Sequence, residues 1–378
     1  MKKIILFIST VSFMAIPGHS ATLDFSSPQY LWAEAVSSEQ VDQFTNSRNA
    51  QTETVLQKKP DFQKLQGYFK KNIVENQEIR KTKAVIRGKF AYNYFTDDTH
   101  PHGLYRRVSK ADYQKAKELT DFSKLQWESI LDIDATIKNF KFPKELSDPA
   151  RGEWVCHYDD KLKDRTHCLI GFSQSGGDQN IHYEFDVQQK KWVTQDNFNF
   201  EILGRSSFRW IGKDTLIVGL DGLAYHNAKN PNSTITQEQA IAQGLLTPNG
   251  YPSRYYIWNR GEAFSTKNLI YSAGSDKRSV GFGGNIKLTK DFDEKKILII
   301  YESVDSRNYD YIVMHDLLET GQYARTPAPL PQKQEILGIS NNSEIIFKTD
   351  MEWQGFQKND ILSIQFNFVG NTLSFFET

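Results

Sequence analysis

Serine, histidine and cysteine are the residue types in this chain that could carry covalent chemistry, and their spacing decides what they can do. Hydrolysis by a serine on an α/β scaffold needs the hydroxyl on a sharp strand-to-helix elbow, Gly-x-Ser-x-Gly, with an acid and then a histidine later in the chain. The nearest string is Gly171-Phe172-Ser173-Gln174-Ser175-Gly176-Gly177. Its last glycine is displaced, and residues 178–187 alternate like a strand instead of opening a helix. Downstream of Ser173 stand His182, His226 and His315, none in a triad setting, so each is read as a strand or loop residue making an ordinary hydrogen bond. No residue is assigned a catalytic role.

Cys156-His157 and His167-Cys168 offer the donor types of a four-ligand zinc site. Residues 153–158 and 166–171 read as two strands of one hairpin with Lys161 to Arg165 as its polar turn, and neighbours on a strand point to opposite faces. The four side chains therefore do not converge. A Cys156–Cys168 disulfide with two outward histidines is the preferred reading, with two reduced, packed thiols as the alternative; in the chain-entropy model such a bond contributes about 3 kcal/mol. His100-Pro101-His102, beside Asp97 and Asp98, reads as a solvated turn, and Asp291-Phe292-Asp293-Glu294 lacks the glycine and spacing of an EF-hand loop. No Gly-x-x-x-x-Gly-Lys-[Ser/Thr] string occurs, and Gly281-Phe282-Gly283-Gly284 has the wrong pattern for a dinucleotide turn. Neither a metal nor a cofactor is expected.

The chain begins Met1-Lys2-Lys3, continues with an apolar stretch over 4–17, and places Gly18-His19-Ser20 before Ala21. That order of basic, apolar and small residues is what a bacterial-type secretory signal peptide needs, with cleavage after Ser20. The mature chain is then periplasmic or secreted, where cysteines oxidise. Mean hydropathy is −0.56, and no second long apolar run follows, so no membrane span is expected after cleavage. Lys plus Arg and Asp plus Glu each total 46, so no net field draws the chain toward nucleic acid or an anionic membrane.

Two elements of different period must position these residues. From Ser37 to Leu56, and again after Pro60-Asp61, apolar residues such as Phe62, Leu65, Phe69 and Ile73 recur at three- and four-residue spacing, which predicts two amphipathic helices whose apolar face needs a cover. From residue 84 the period changes to two. Strands are expected over 85–95, 103–108, 127–133, 168–172, 181–187, 215–219, 254–258, 296–301, 311–315, 344–348 and 360–366. Turns are expected at Gly176-Gly177-Asp178, Gly212-Lys213-Asp214, Asp221-Gly222, Gly283-Gly284-Asn285 and Asn341-Asn342-Ser343. The most apolar strand of each group recurs at roughly 40 to 50 residues, from Leu169 to Leu216 and from Leu298 to Ile346. That period, with about four strands in each, predicts an all-β propeller preceded by a short α-helical N-terminal arm.

Particular residues then become recognisable. Tyr183-Glu184-Phe185-Asp186-Val187 with Lys191-Trp192-Val193, the run from Phe208-Arg209-Trp210-Ile211-Gly212-Lys213-Asp214 to Gly219, and Gly250-Tyr251-Pro252 with Trp258-Asn259-Arg260-Gly261 resemble the propeller of the prolyl oligopeptidase family of serine peptidases. Ser27-Pro28-Gln29-Tyr30-Leu31-Trp32 looks like that family's entry motif, and Gly103-Leu104-Tyr105-Arg106-Arg107 and Leu131-Asp132-Ile133-Asp134 follow in the family's order. The resemblance implies a seven-bladed propeller, incomplete here, that caps an α/β-hydrolase domain and admits only short peptides for cleavage after proline. It divides the chain into a signal peptide (1–20), a helical arm (21–83) and a truncated propeller (84–378), and makes the missing catalytic half, or short peptides, the partners. It makes Ser173 a propeller turn residue and Arg205 a substrate-cavity candidate able to pair with a peptide carboxylate or carbonyl, with a rim arginine in water as the preferred reading, and Trp210 reads as blade core. The family's Pro-Arg is here Pro252-Ser253 with Arg254 shifted by one, which puts that arginine's contact in question. The expected function is the substrate-gating portion of a prolyl-oligopeptidase-like endopeptidase, inactive alone; the alternative is a free-standing secreted propeller that binds a partner.

Overall fold

The computed structural model describes residues 32–33, 38–159, 164–274, 279–282, 298–303, 309–315, 324–340, 344–369 and 372–375. The expected signal peptide lies outside them. So do residues 27–31 of the entry motif, the turns at Gly283-Gly284-Asn285 and Asn341-Asn342-Ser343, the Asp291-Phe292-Asp293-Glu294 string, most of the Lys161 to Arg165 turn, and the Ile73 side chain. The chain divides into two compact units, with the boundary between Glu78 and Ile79.

Helices α1 (Glu39–Gln57) and α2 (Pro60–Thr82) follow from the first periodic segment. Ser38 caps α1 by accepting a hydrogen bond from the Val41 amide at 3.1 Å, and Pro60 opens α2 at the position where a missing N–H costs nothing. Val55, Leu65, Tyr68 and Phe69 of these helices are exposed. Among the described residues no helix is long and apolar enough to cross a membrane.

The second unit is built from successive antiparallel sheets. The first holds β1 (Val85–Arg87), β2 (Phe90–Phe95), β3 (Leu104–Ser109) and β4 (Glu128–Asp132), with α3 (Lys110–Leu119) between the last two and α4 (Ile133–Asn139) after them. The second holds β5 (Pro149–Asp159), β6 (Asp164–Gln174), β7 (Asn180–Asp186) and β8 (Lys191–Trp192), and β9 (Phe200–Gly204) also pairs with β7. The third holds β10 (Ser207–Gly212), β11 (Thr215–Leu220), β12 (Arg254–Asn259) and β13 (Leu269–Ser272), with α5 (Gly222–Lys229) and α6 (Gln237–Ala242) in the excursion from β11 to β12. The fourth runs β14 (Ser279–Phe282), β15 (Leu298–Ser303), β16 (Tyr309–His315), β17 (Ala324–Pro327), and the fifth β18 (Gln334–Ile339), β19 (Glu344–Thr349), β20 (Ile361–Val369), β21 (Thr372–Phe375).

Each sheet follows an up-and-down meander, with β9 as an off-path fifth strand in the second, and the first three sheets share buried cores as neighbouring propeller blades do. The two-residue period decides which core a strand feeds. On β6, Cys168, Ile170 and Phe172 join Ile181, Tyr183 and Phe185 of β7 against Tyr92, Tyr105 and Leu131 of the first sheet. The intervening Leu169 packs with Phe198, Phe208, Trp210, Leu216 and Trp258 of the third-sheet core. Full burial of such side chains contributes roughly 1.5 to 3 kcal/mol each.

Three local readings change. The strand expected over 85–95 is two strands, β1 and β2, folded into a hairpin at Gly88, whose φ of +56° suits a glycine. Asp221-Gly222 is no hairpin turn: Asp221 caps α5, accepting from the Ala224 amide at 3.0 Å. The four short helices were hidden because each spans too few residues to show a period.

Candidate functional site

The Cys156 and Cys168 residues lie directly opposite each other in the β5–β6 register and are disulfide-bonded. Their neighbours His157 and His167 do point to the other face of the sheet, as pleating demands, yet they are not outward into solvent. Both rings pack on Trp210, at centroid distances of 5.7 and 6.5 Å, so the second face of this sheet is also an interface. His157 shares a 2.8 Å hydrogen bond with Thr166 Oγ1. Burial holds His167 below the ordinary imidazole range although Glu184 and Asp186 stand 4.0 and 3.7 Å away. Among the described residues no group of three or more His, Cys, Asp or Glu side chains is placed to hold a metal ion.

Several motif residues that carry the resemblance meet at the same interface. Glu184, fully buried on β7, accepts two hydrogen bonds from Arg260, to Oε1 from Nη2 at 2.8 Å and to Oε2 from Nη1 at 3.0 Å. Arg260 also donates from Nε to Asp214 Oδ1 at 2.7 Å and to the carbonyls of Asp196 and Lys213 at 2.9 Å. The Phe198 amide donates to Glu184 Oε2 at 2.9 Å, and the Phe198 ring lies 4.6 Å from the guanidinium. Burial lowers the Arg260 pKa, but Glu184 and Asp214 outweigh it and hold the group above its ordinary value. The cluster is a lock between the second and third sheets. Trp210, 7% exposed and donating to the Val155 carbonyl, is core, in keeping with its reading from the sequence.

Ser173, expected in a turn, instead lies within β6 and is 1% exposed, so its hydroxyl is closed off from solvent. Its Oγ and both ring nitrogens of the fully buried His182 have no hydrogen-bond partner among the described residues. Desolvation drops the His182 pKa to about 3, so the ring is neutral at ordinary pH. Neither residue is presented for chemistry.

One end of the second and third sheets does present polar side chains. Register brings the start of β7 to the end of β9 through Asn180 and Gly204, and the next residue is Arg205. Asp221, 5% exposed, accepts the Arg205 amide at 2.9 Å on Oδ2 while its Oδ1 caps α5, and its own amide donates to Ser206 Oγ at 3.0 Å. This fixes the Arg205 backbone and leaves the guanidinium, 38% exposed, 3.6 Å from the carboxylate of Asp178. Tyr251, 45% exposed, stands beside it with its ring centroid 5.7 Å from the guanidinium carbon.

Tyr251 is fixed in turn by Thr247. The Tyr251 amide donates to Thr247 Oγ1 at 3.1 Å and its carbonyl accepts from the Thr247 amide at 2.9 Å, around Gly250 at φ +76°. The departure at Pro252-Ser253 has its own contacts: Ser253 Oγ donates to the Gly244 carbonyl at 2.7 Å and Arg254 to the Gln243 carbonyl at 2.8 Å. Tyr251 and Asp178 were not singled out as ligand contacts from the sequence, because their proximity to Arg205 depends on loops from three different hairpins.

No family model matches the chain. It is 25% identical over 328 residues to an uncharacterized peptidase of Rickettsia prowazekii (strain Madrid E), a match that covers 83% of this chain and 39% of that protein. The chain thus spans about two-fifths of the length of that relative. Among solved structures it is similar to a post-proline cleaving enzyme from Rickettsia typhi, with a TM-score of 0.61 and 20% identity, over 88% of this chain and 44% of the other. It is also similar to a prolyl endopeptidase, with a TM-score of 0.51 and 12% identity, over 89% and 41%.

Proposed function

We propose that this chain, which is related to the prolyl oligopeptidases over their propeller region, is the substrate-gating portion of an exported serine endopeptidase that cleaves short proline-containing peptides. The observation that carries this reading is the coincidence of the sheet architecture with a match to peptidases that extends over most of this chain but well under half of theirs. In this proposal an α/β-hydrolase half, encoded by sequence other than these residues, supplies the serine, acid and histidine, and the blades close with it into a seven-bladed ring. The burial of Ser173 supports an assignment in which this part of the protein selects peptides and another part cuts them.

Selection of this kind is steric and electrostatic. A ring of packed sheets excludes folded proteins, while polar residues at the ends of strands hold an extended peptide in one direction. In this reading the Glu184–Arg260 pair, which ties the second sheet to the third, helps the proposed ring hold its shape.

The test is the DNA that follows the coding segment. A Gly-Gly-Ser-x-Gly-Gly string and a later histidine there support the proposal. Unrelated sequence there counts against it and favours a free-standing binding propeller.

A further inference from the structure

Strand register sets a histidine against two carboxylates in the seam between the second and third sheets. His167 of β6 lies opposite Asp186 of β7, and Glu184, two residues earlier on β7, projects from the same face of the pleat. The ring is 14% exposed, and its Nε2 stands 3.7 Å from Asp186 Oδ2 and 4.0 Å from Glu184 Oε1. Both gaps are longer than a hydrogen bond. The other ring nitrogen, Nδ1, is buried with no hydrogen-bond partner among the described residues. The imidazole thus faces two acceptors without bonding to either, in an interface that its neighbours hold together.

Each element around the ring adds to its charge balance. From β5 comes His157, whose Nδ1 shares a hydrogen bond with Thr166 Oγ1 next to His167. The uncharged Trp210 ring packs on it from β10. Lys213, in the turn after β10, and Arg260, just past β12, are cations that oppose a proton on His167, and Glu184 and Asp186 favour one. Arg260 is itself engaged by Glu184 at 2.8 Å and Asp214 at 2.7 Å. Burial is the largest influence, and it outweighs the two carboxylates to keep the ring below its ordinary range. His182 lies in the same seam, against Phe208, where desolvation acts alone and keeps its ring neutral down to about pH 3.

We propose that the seam between the second and third sheets is proton-operated, with His167 as its sensor: it is closed around the neutral ring and released when the ring takes a proton. In the closed seam an imidazolium stands beside Arg260 and competes with it for Glu184, a buried carboxylate that depends on that partner. In the released seam water solvates the ring, which then binds its proton at the ordinary value. The proton therefore prefers the released form, and acid shifts the population toward it. His167's contribution to closure is fully present above about pH 6.5 and is lost as pH falls, because its pKa in the closed seam is the lower of the two. The device is independent of the peptide-selecting role and stands or falls without it.

The seam carries its own reporter, since Trp210 packs on His167 and donates its indole N–H across the seam to the Val155 carbonyl at 2.8 Å. The experiment incorporates fluorinated tryptophan into the full chain and follows the Trp210 signal, assigned with Trp210→Phe, by fluorine NMR between about pH 8 and 5. The same samples, labelled with ordinary tryptophan, give hydrogen exchange of the Trp210 indole. The expected result is a reversible titration with a midpoint below about 6.5, accompanied by indole exchange about tenfold faster than its intrinsic pH trend allows. Asp186→Asn keeps an oxygen for the Gln188 and Gln189 amides but removes the charge opposite His167, so the midpoint should move to lower pH. His167→Gln should abolish the titration, whereas His157→Gln and His182→Leu should leave it in place. Circular dichroism at each pH separates release of the seam from global unfolding, and Asp186→Asn decides the matter should His167→Gln not fold. A midpoint at or above 6.5, a titration that survives His167→Gln or vanishes in His157→Gln, a midpoint unmoved by Asp186→Asn, or indole exchange that keeps to its intrinsic trend overturns the proposal.

Discussion

Arg260 holds Glu184 from 76 positions further along the chain, through two hydrogen bonds whose acceptor side chain is completely buried. A carboxylate in such a place is stabilised only while its partner remains. Arg260→Met therefore leaves an unpaired buried charge and should cost about 3 to 5 kcal/mol, read as a fall in the urea midpoint at constant slope. Replacing Glu184 and Arg260 together by Leu and Met should cost clearly less than Arg260→Met alone. Equal losses would mean that the pair is no lock.

His182 sets an acid limit on stability. Its folded pKa of about 3 lies below the value of about 6.5 expected in the unfolded chain, so between those values the unfolded state binds the extra proton. The contribution is fully present above pH 6.5 and is lost as pH falls toward 3, a few kcal/mol in all. His182→Leu should flatten the decline in unfolding free energy between pH 6.5 and 4. An unchanged slope would show that other groups govern it.

Gly171 on β6 lies against the β5 backbone at Glu153. A Cβ there would meet the Glu153 carbonyl oxygen at 2.5 Å and the His182 Nε2 at 3.1 Å. The first obstacle is backbone and cannot rotate away. Gly171→Ala should lower stability by roughly 1 to 3 kcal/mol, with a matching drop in Tm. Gly176→Ala meets nothing within 4 Å but sits at φ +80°, so its smaller loss reports backbone conformation alone.

The Cys156–Cys168 bond closes a loop with a sequence separation of 12. Changing both cysteines to alanine should reduce stability by about 3 kcal/mol, measured as unfolding by urea without reductant. The wild-type chain in excess reductant should move toward the variant, and the variant should not respond.

Much of this architecture was legible in the sequence because two-residue alternation is a local signal. Thr215 to Gly219 and Glu344 to Lys348 both fall within strands of the expected type. The helices of the arm were legible for the same reason, from the spacing of Phe62, Leu65 and Phe69. The short helices were not, although Thr236 and Gln239 stand at the spacing of a capping box and Asp221 immediately precedes α5. The lock was illegible in a different way. Glu184, Asp214 and Arg260 each belong to a motif that marked the resemblance, but nothing local says that the three meet. The polar rim was half legible: Arg205 was singled out, whereas Tyr251 comes to it through the folding of the excursion between β11 and β12.

The central claim, that this chain selects peptides for a post-proline endopeptidase, is tested most directly by turnover of a chromogenic peptide with proline before the scissile bond. The measurement compares the purified chain with the same chain joined to the hydrolase half proposed for it. The account predicts no turnover by the chain alone and cleavage after proline by the joined protein, for short peptides and not for folded substrates. Turnover by the chain alone, or a joined protein that cuts folded and short substrates alike, would contradict it.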